Sequence, residues 1–241
     1  QYGMTVELKD FQRHWFSSDA KLFWKWDIPA HLKQNLQGQT ITVSPQHYEK
    51  EIDIQIFHGP LVLKGWKPFL GVGYASTTFK WPFSTSQNND IEFSKESVFP
   101  QVTVRMALDF LMHTHWKTEV PEFKLIAKDN SSKINWGGLV LKNTISTNLE
   151  KVQGNVDLKA LEIIKPQGTV NINAFKTNYD FNLNPVGIYV GDAELNLDKI
   201  ELGKELRMDA VRVRNQAEIQ NNLFSSSFDG SLKSANINGY A

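Results

Sequence analysis

The chain has 241 residues, enough for one large domain or two small ones, with 26 Lys plus Arg balanced by 26 Asp plus Glu. The two signs are interleaved along the chain, so there is neither a basic footprint for nucleic acid nor a polybasic patch for an anionic membrane surface. Cysteine is absent, which excludes thiolate nucleophiles, Cys-ligated zinc, iron–sulfur clusters and disulfides, and no apolar run reaches the length of about 18 residues that a membrane-spanning helix needs.

Residues 16–28 open the strand signal. Leu22, Trp24, Trp26 and Ile28 alternate with Lys21, Lys25 and Asp27, the period of two that sends successive side chains to opposite faces of a sheet. Pro29, with AHLKQNLQGQ after it, admits one short helix or loop around residues 30–37. In residues 51–58 Ile52, Ile54 and Ile56 oppose Glu51, Asp53 and Gln55, and a helical turn fits KGWKPFL at 64–70. The polar stretch 84–100 reads as a long connection with a short strand at 91–93. Residues 102–120 read as one very long strand with a bend or bulge: Val102, Val104, Met106, Leu108, Phe110, Met112, Trp116 and Val120 share one phase. Arg105, Asp109, His113, His115, Lys117 and Glu119 share the other. From 133 onward the chain is a meander, with strands at 133–149, 153–164, 168–183, 187–202, 206–219 and 223–237. The fragments GNVDLKALEI, GDAELNLDKIEL and GSLKSANI, beginning at Gly154, Gly191 and Gly230, suggest a repeated strand pair. The expectation is an all-β protein, an elongated and mostly antiparallel meander forming a curved sheet or a two-layer sandwich. A single domain over 1–241 is favoured. A boundary near 84–100 is the alternative, because all seven tryptophans lie at or before Trp136, dividing an aromatic-rich part (1–83) from the meander (101–241).

Several chemistries have partial signatures. His113 and His115, two apart on a strand, point the same way and are the weak metal candidates, with Asp109 and Glu119 as oxygen donors on the same face. A zinc site needs three or four convergent ligands and the sequence places only the two imidazoles, so solvated histidines on a polar face are the competing reading. The G-x-S-x-G elbow, the phosphate loop and the dinucleotide fingerprint are missing, and Gly71-Val72-Gly73 does not replace them, so no cofactor is expected. Ser17-Ser18 before Asp19 reads as a turn, and so does Asn130-Ser131-Ser132. No catalytic residue is assigned. The remaining feature is aromatic: Trp24, Trp26, Met106 and Phe110 share apolar strand phases. They are either core or the lining of an apolar groove for a lipid or other amphiphile, and an uncovered single-layer sheet would favour the groove.

His58-Gly59-Pro60 closes the strand at 51–58. His58 falls in phase with Ile52, Ile54 and Ile56, Gly59 frees the turn and Pro60 removes a ladder donor, so the expected role is structural: a ring nitrogen that pins the turn. These residues, with Phe11, Phe16, Ser17 and Ser18, resemble the amino-terminal part of the YdgA-like family of Gram-negative envelope proteins, with His14 or Trp15 where glycine is more usual. The resemblance extends to NNLFSSSFDGSLKSANINGYA and implies a protein anchored in the inner membrane by an amino-terminal helix outside this chain. The rest would lie in the periplasm, and the chain would be a fragment of a longer protein. It brings no enzymatic activity and no catalytic residues. The expected function is a non-catalytic periplasmic scaffold or interaction module, with other envelope proteins or lipid as partners. Binding of an amphiphile along a concave apolar face is the alternative, and metal-dependent hydrolysis a second one.

Overall fold

The structure, a computed structural model, describes residues 3–28, 31–34, 40–43, 46–64, 67–80, 93–220 and 223–237. All regular structure among them is β-strand, and every ladder is antiparallel. The chain divides into two compact units, Gln1–Thr77 and Thr78–Ala241.

The first unit contains β1 (Gly3–Arg13), β2 (Ser17–Ile28), β3 (His31–Gln34), β4 (Thr40–Val43), β5 (Gln46–His58), β6 (Leu61–Lys64), β7 (Lys67–Leu70) and the start of β8 (Gly73–Lys80). β1, β2, β5 and β8 are hydrogen-bonded in that order. The alternation seen in the sequence sets the register: Leu22 lies opposite both Leu8 and Ile52, and Ala20 lies opposite Ile54. Ala20 and Ile52 are buried. The helix admitted at 30–37 is not formed, because His31–Gln34 pairs with Thr40–Val43 as a hairpin; 35–39 lie outside the described residues. The turn fitted to 64–70 is also corrected, since β6 and β7 pair from Leu61↔Leu70 to Lys64↔Lys67. In both places hairpin pairing supplies the backbone partners that a single helical turn leaves unmet.

The second unit contains β9 (Gln101–Leu108), β10 (Thr114–Val120), β11 (Phe123–Ile126), β12 (Lys133–Trp136), β13 (Leu139–Ile145), β14 (Lys151–Lys165), β15 (Gly168–Leu183), β16 (Tyr189–Leu202), β17 (Leu206–Gln220) and β18 (Leu223–Ile237). The order is β9-β10-β13-β14-β15-β16-β17-β18, with β11 on β12 and β12 on β14 beside β13. The long strand expected at 102–120 is a hairpin. Asp109 breaks it by accepting hydrogen bonds from the Leu111 and His113 amides at 2.9 and 2.8 Å, and Met112 takes φ 62°. An aspartate that binds the backbone two and four residues ahead offers it a turn in place of the ladder. The phase survives the fold-back, because Met106 pairs with Trp116 and Arg105 with Lys117.

One feature crosses the meander from strand to strand. At Lys159, Ala174, Asp198, Ala210 and Lys233 the ladders skip a position, while the register is the same on either side. Ala174 and Ala210 sit there with φ 46° and 50°. The row continues into the break between β12 and β13, where the Gly137 amide donates to Ala160 and the Lys159 amide to Gly138. A left-handed residue adds a half-turn to the strand and sends the next side chain back to the same face. The apolar phase inverts along this row on β15 and β17, and their register partners on β14, β16 and β18 follow it. On β15 it passes from Val170 and Ile172 to Phe175, Tyr179 and Phe181; on β17 it passes from Leu206 and Met208 to Val211 and Val213.

Candidate functional site: an open apolar face

The inversion keeps most large apolar side chains of the meander on one face; Val140, Ile164 and Leu223, opposite Asp157, Thr169 and Gln220, take the other phase. On one side of the kink row Leu139, Leu158, Phe175, Leu197, Val211 and Leu232 form a continuous cross-strand row; on the other, Trp136, Leu161, Ile172, Ile200, Met208 and Ala235 form the next. The opposite face carries charges, with Lys199 on Glu201 at 2.6 Å, Arg207 on Asp209 at 3.0 Å, Lys151 on Asp180 at 3.1 Å and Arg214 on Asp192 at 3.4 Å. Solvent screens such exposed pairs, so they mark the wet side more than they hold it together.

Within the Thr78–Ala241 unit no second layer covers the apolar face among the described residues. Every residue of β14, β15, β16 and β18 is half-buried or exposed, and none is buried. The unit's buried apolar residues, among those described, gather instead at Val102 and Leu125–Ala127. There the segment 93–98 folds over β11 through the Ser94 amide on Ile126 and the Val98 amide on Lys124. A shallow depression lies at the kink row, lined by Leu197, Val211 and Leu232 together with the polar Asn196, Arg212 and Ser231 and with Asp198, Ala210 and Lys233.

One row of the face is closed by its own side chains. Tyr179 lies across Gly154 and donates its hydroxyl to Asn143 Oδ1, two strands away. Desolvation raises the Tyr179 pKa. The glycine is required, because a Cβ there would stand 2.5 Å from the Lys142 carbonyl oxygen and 2.6 Å from the Tyr179 hydroxyl. Phe123 stacks on Trp136 with centroids 5.6 Å apart, and the Trp136 indole N–H is enclosed with no acceptor among the described residues.

The groove residues expected from sequence are dispersed. Met106 does lie on the apolar face, opposite Trp116. Phe110 does not: it sits in the β9–β10 turn, 59% exposed, because the strand ends at Leu108. Trp24 and Trp26 belong to β2 in the first unit, Trp24 half-buried and Trp26 with its side chain outside the described residues.

His113 and His115 both turn to one carboxylate. His115 Nε2 donates to Asp109 Oδ2 at 2.9 Å and His113 Nδ1 to the same oxygen at 3.3 Å, while His115 Nδ1 meets the Thr144 hydroxyl. The His115 bond above all, against an opposing desolvation, and then the His113 amide hold the Asp109 pKa down at about 2. Glu119 stands apart, paired with Arg105 and with Lys117 at 2.5 Å. No group of three or more metal-binding side chains is found among the described residues.

His58 and Ser18 meet in the first unit, joined by a 2.7 Å hydrogen bond between Nε2 and Oγ, while the His58 amide donates to the Phe16 carbonyl. Such a pair has the spacing of a nucleophile and its base. Ser18 is 0% exposed, however, and no carboxylate orients His58 among the described residues, so the contact ties the end of β5 to the start of β2. Gly59, at φ 120°, then turns the chain. The two motifs quoted for the family resemblance, Phe16-Ser17-Ser18 and His58-Gly59-Pro60, are thus one structural unit.

Fold and site define an antiparallel all-β protein whose Thr78–Ala241 unit has one apolar and one charged face. The chain belongs to a bacterial protein family of unknown function, DUF945, whose family model matches residues 1–241. No curated protein and no solved structure matches it. No described helix is long and apolar enough to cross a membrane.

Proposed function

We propose that this protein is a non-catalytic module of the bacterial envelope that holds the acyl chains of an amphiphile on the open apolar face of the Thr78–Ala241 unit. The observation that carries the reading is the single layer: β14–β16 and β18 place their apolar side chains in common rows and bury none of them. A contiguous exposed apolar surface of this extent marks a contact with lipid, ligand or protein. The enclosed indole N–H of Trp136 supports a ligand with oxygen at one end, since an unmet buried donor costs about 1–3 kcal/mol. A chain of about 16 methylenes laid on one face hides roughly half its surface, worth about 6 kcal/mol gross at ~0.8 kcal/mol per CH2. The YdgA-like resemblance adds the location, a periplasmic module tethered to the inner membrane.

Trp116 and Trp136 lie on this face and serve as reporters. A brominated lysophospholipid is expected to quench both, as read by comparison with Trp116→Phe and Trp136→Phe. Leu197→Asp with Val211→Asp is expected to weaken binding about tenfold or more, and Gln216→Asp on the charged face is expected to leave it unchanged. Absence of quenching, together with native mass spectra free of lipid, would end the reading. A non-catalytic envelope scaffold is the second reading, favoured by the same apolar face, which suits a protein partner as well as a lipid.

A further inference from the structure

The two ends of the meander differ in their turns. The pairs Thr114↔Ile145, Ile145↔Val152, Lys151↔Asn182 and Leu183↔Tyr189 bring the β9–β10, β13–β14 and β15–β16 turns to one end of the sheet. These turns expose Phe110, Leu111, Met112, Leu149, Val186 and Ile188, with Leu111 at 74% and Val186 at 66%. The pairs Lys133↔Ile164, Lys165↔Gly168 and Leu202↔Leu206 place the β11–β12, β14–β15 and β16–β17 turns at the other end. Their tips are Asp129-Asn130-Ser131, Pro166-Gln167 and Gly203-Lys204-Glu205, polar as turns in water usually are. A single exposed leucine needs no explanation, whereas large apolar side chains gathered on three adjacent turns form a patch.

The backbone of these three turns is closed on itself. Asp109 Oδ1 accepts from the Leu111 and His113 amides, Ser146 Oγ from Lys151, and Asn184 Oδ1 from Val186 and Ile188 at 3.1 and 2.9 Å. The Asp109, Ser146 and Asn184 carbonyls take the amides of Met112, Leu149 and Gly187. The amides of Leu111, Met112, Leu149, Val186 and Ile188 are thereby all bonded within the turns. Neighbouring turns are tied together, the Thr147 hydroxyl donating to the Met112 carbonyl at 2.8 Å and the Tyr189 hydroxyl to the Leu149 carbonyl. The tip segments 110–112, 147–149 and 185–189 hold no charged residue. Lys151, beside the β13–β14 turn, is paired with Asp180, so no free basic cluster marks this rim for anionic headgroups among the described residues. We infer that the rim is a lipid contact, the three turns inserting their apolar side chains into the interface of a phospholipid layer. The bonded amides and uncharged tips give a protein partner little to pair with but suit hydrocarbon, which offers no donor or acceptor. The inference stands on the turns and does not require an acyl chain on the sheet face. Where both hold, the last apolar row of the face, Ile145, Val152 and Phe181, meets the lipid beside the rim and gives an amphiphile a path between layer and face.

The chain lacks cysteine, so one environment-sensitive dye can be attached at a chosen site. On Leu111→Cys the dye is expected to shift its emission to the blue when phosphatidylcholine vesicles are added, and on Lys204→Cys, at the polar end, it is expected not to respond. In co-sedimentation with the same vesicles, Leu111→Asp with Val186→Asp is expected to weaken binding about tenfold or more, because interfacial binding scales with the apolar area buried. Phosphatidylglycerol in place of phosphatidylcholine is expected to leave the binding nearly unchanged. The double variant is expected to keep the wild-type circular dichroism and the lysophospholipid quenching of Trp116 and Trp136, which separates loss at the rim from loss at the face; the dye arm decides independently of that variant. Absence of vesicle binding by the unsubstituted chain overturns the inference, as does an equal blue shift at Lys204→Cys. Vesicle binding that survives Leu111→Asp with Val186→Asp also overturns it. Binding to phosphatidylglycerol vesicles alone, lost at high salt, overturns it too, since charge and not the apolar rim would then carry the contact.

Discussion

Gly154→Ala tests whether the face is built as described. The new methyl would meet Asn143 Oδ1, the Lys142 carbonyl oxygen at 2.5 Å and the Tyr179 hydroxyl at 2.6 Å. A side-chain tip can swing away; the Lys142 carbonyl cannot, since it belongs to β13 and is held in its ladder with β14. Overpacking of this kind costs about 1–3 kcal/mol. Displacing Tyr179 from Asn143 adds about 1 kcal/mol. Replacing glycine within a strand returns about 0.5–1 kcal/mol of chain entropy, so the net loss is about 2–3 kcal/mol. Urea denaturation followed by circular dichroism reads this as a lower midpoint at unchanged slope. In a Tyr179→Phe background, where the hydroxyl is gone, the cost of Gly154→Ala is expected to fall by about 1 kcal/mol. Wild-type stability for Gly154→Ala would refute the placement of Tyr179 across Gly154, and full additivity of the two changes would refute their coupling.

Ala174→Gly and Ala210→Gly are each expected to stabilise the protein by about 0.5–1 kcal/mol, because left-handed φ costs alanine about 1–2 kcal/mol and the greater chain entropy of glycine offsets about 0.5–1 kcal/mol of that. The same change at Ala193, within the β16 ladder, is expected to destabilise it by about 0.5–1 kcal/mol in the same assay. Ser18→Ala is expected to cost about 1–2 kcal/mol, as it leaves the His58 ring without its partner; measured unfolding of the first unit reads this. The Asp109 pKa is lowered in the folded state, so its stabilising effect is present above the ordinary carboxylate value and is lost as pH falls from about 4 toward 2. Asp109→Asn is expected to flatten the acid limb of the stability profile in that window, and an unchanged limb would show that the carboxylate does not cap the β9–β10 turn.

Alternation along the chain was sufficient for the strands, because a period of two is a local consequence of pleating and needs no knowledge of neighbours. It placed β14 to β18 nearly at their observed ends, and it assigned His58 correctly to the phase of Ile52, Ile54 and Ile56. It failed at 102–120, where the apolar phase is the same before and after Asp109, so that a fold-back and a straight strand look alike; the Asp109 turn was the signal that separates them. It also failed to show the kink row. That signal was present as a change of parity, from Val170 and Ile172 to Phe175 and Tyr179 on β15 and from Leu206 and Met208 to Val211 and Val213 on β17. Within one strand a parity change reads as an irregularity. Only when neighbouring strands are brought into register does it become a row.

By itself, then, the sequence determined the strand class, the two-faced chemistry of each strand and the exclusion of thiolate chemistry by this chain, since all of these depend on residue type and local spacing. Tertiary structure alone decided that Ser18 meets His58, that His113 and His115 share Asp109 while Glu119 does not, and that the kinks align so that the apolar rows of β14 to β18 fall on one face, uncovered among the described residues. These are relations between residues tens of positions apart. Their contacts are set by strand register and by what packs on each face, and neither is written in the local pattern.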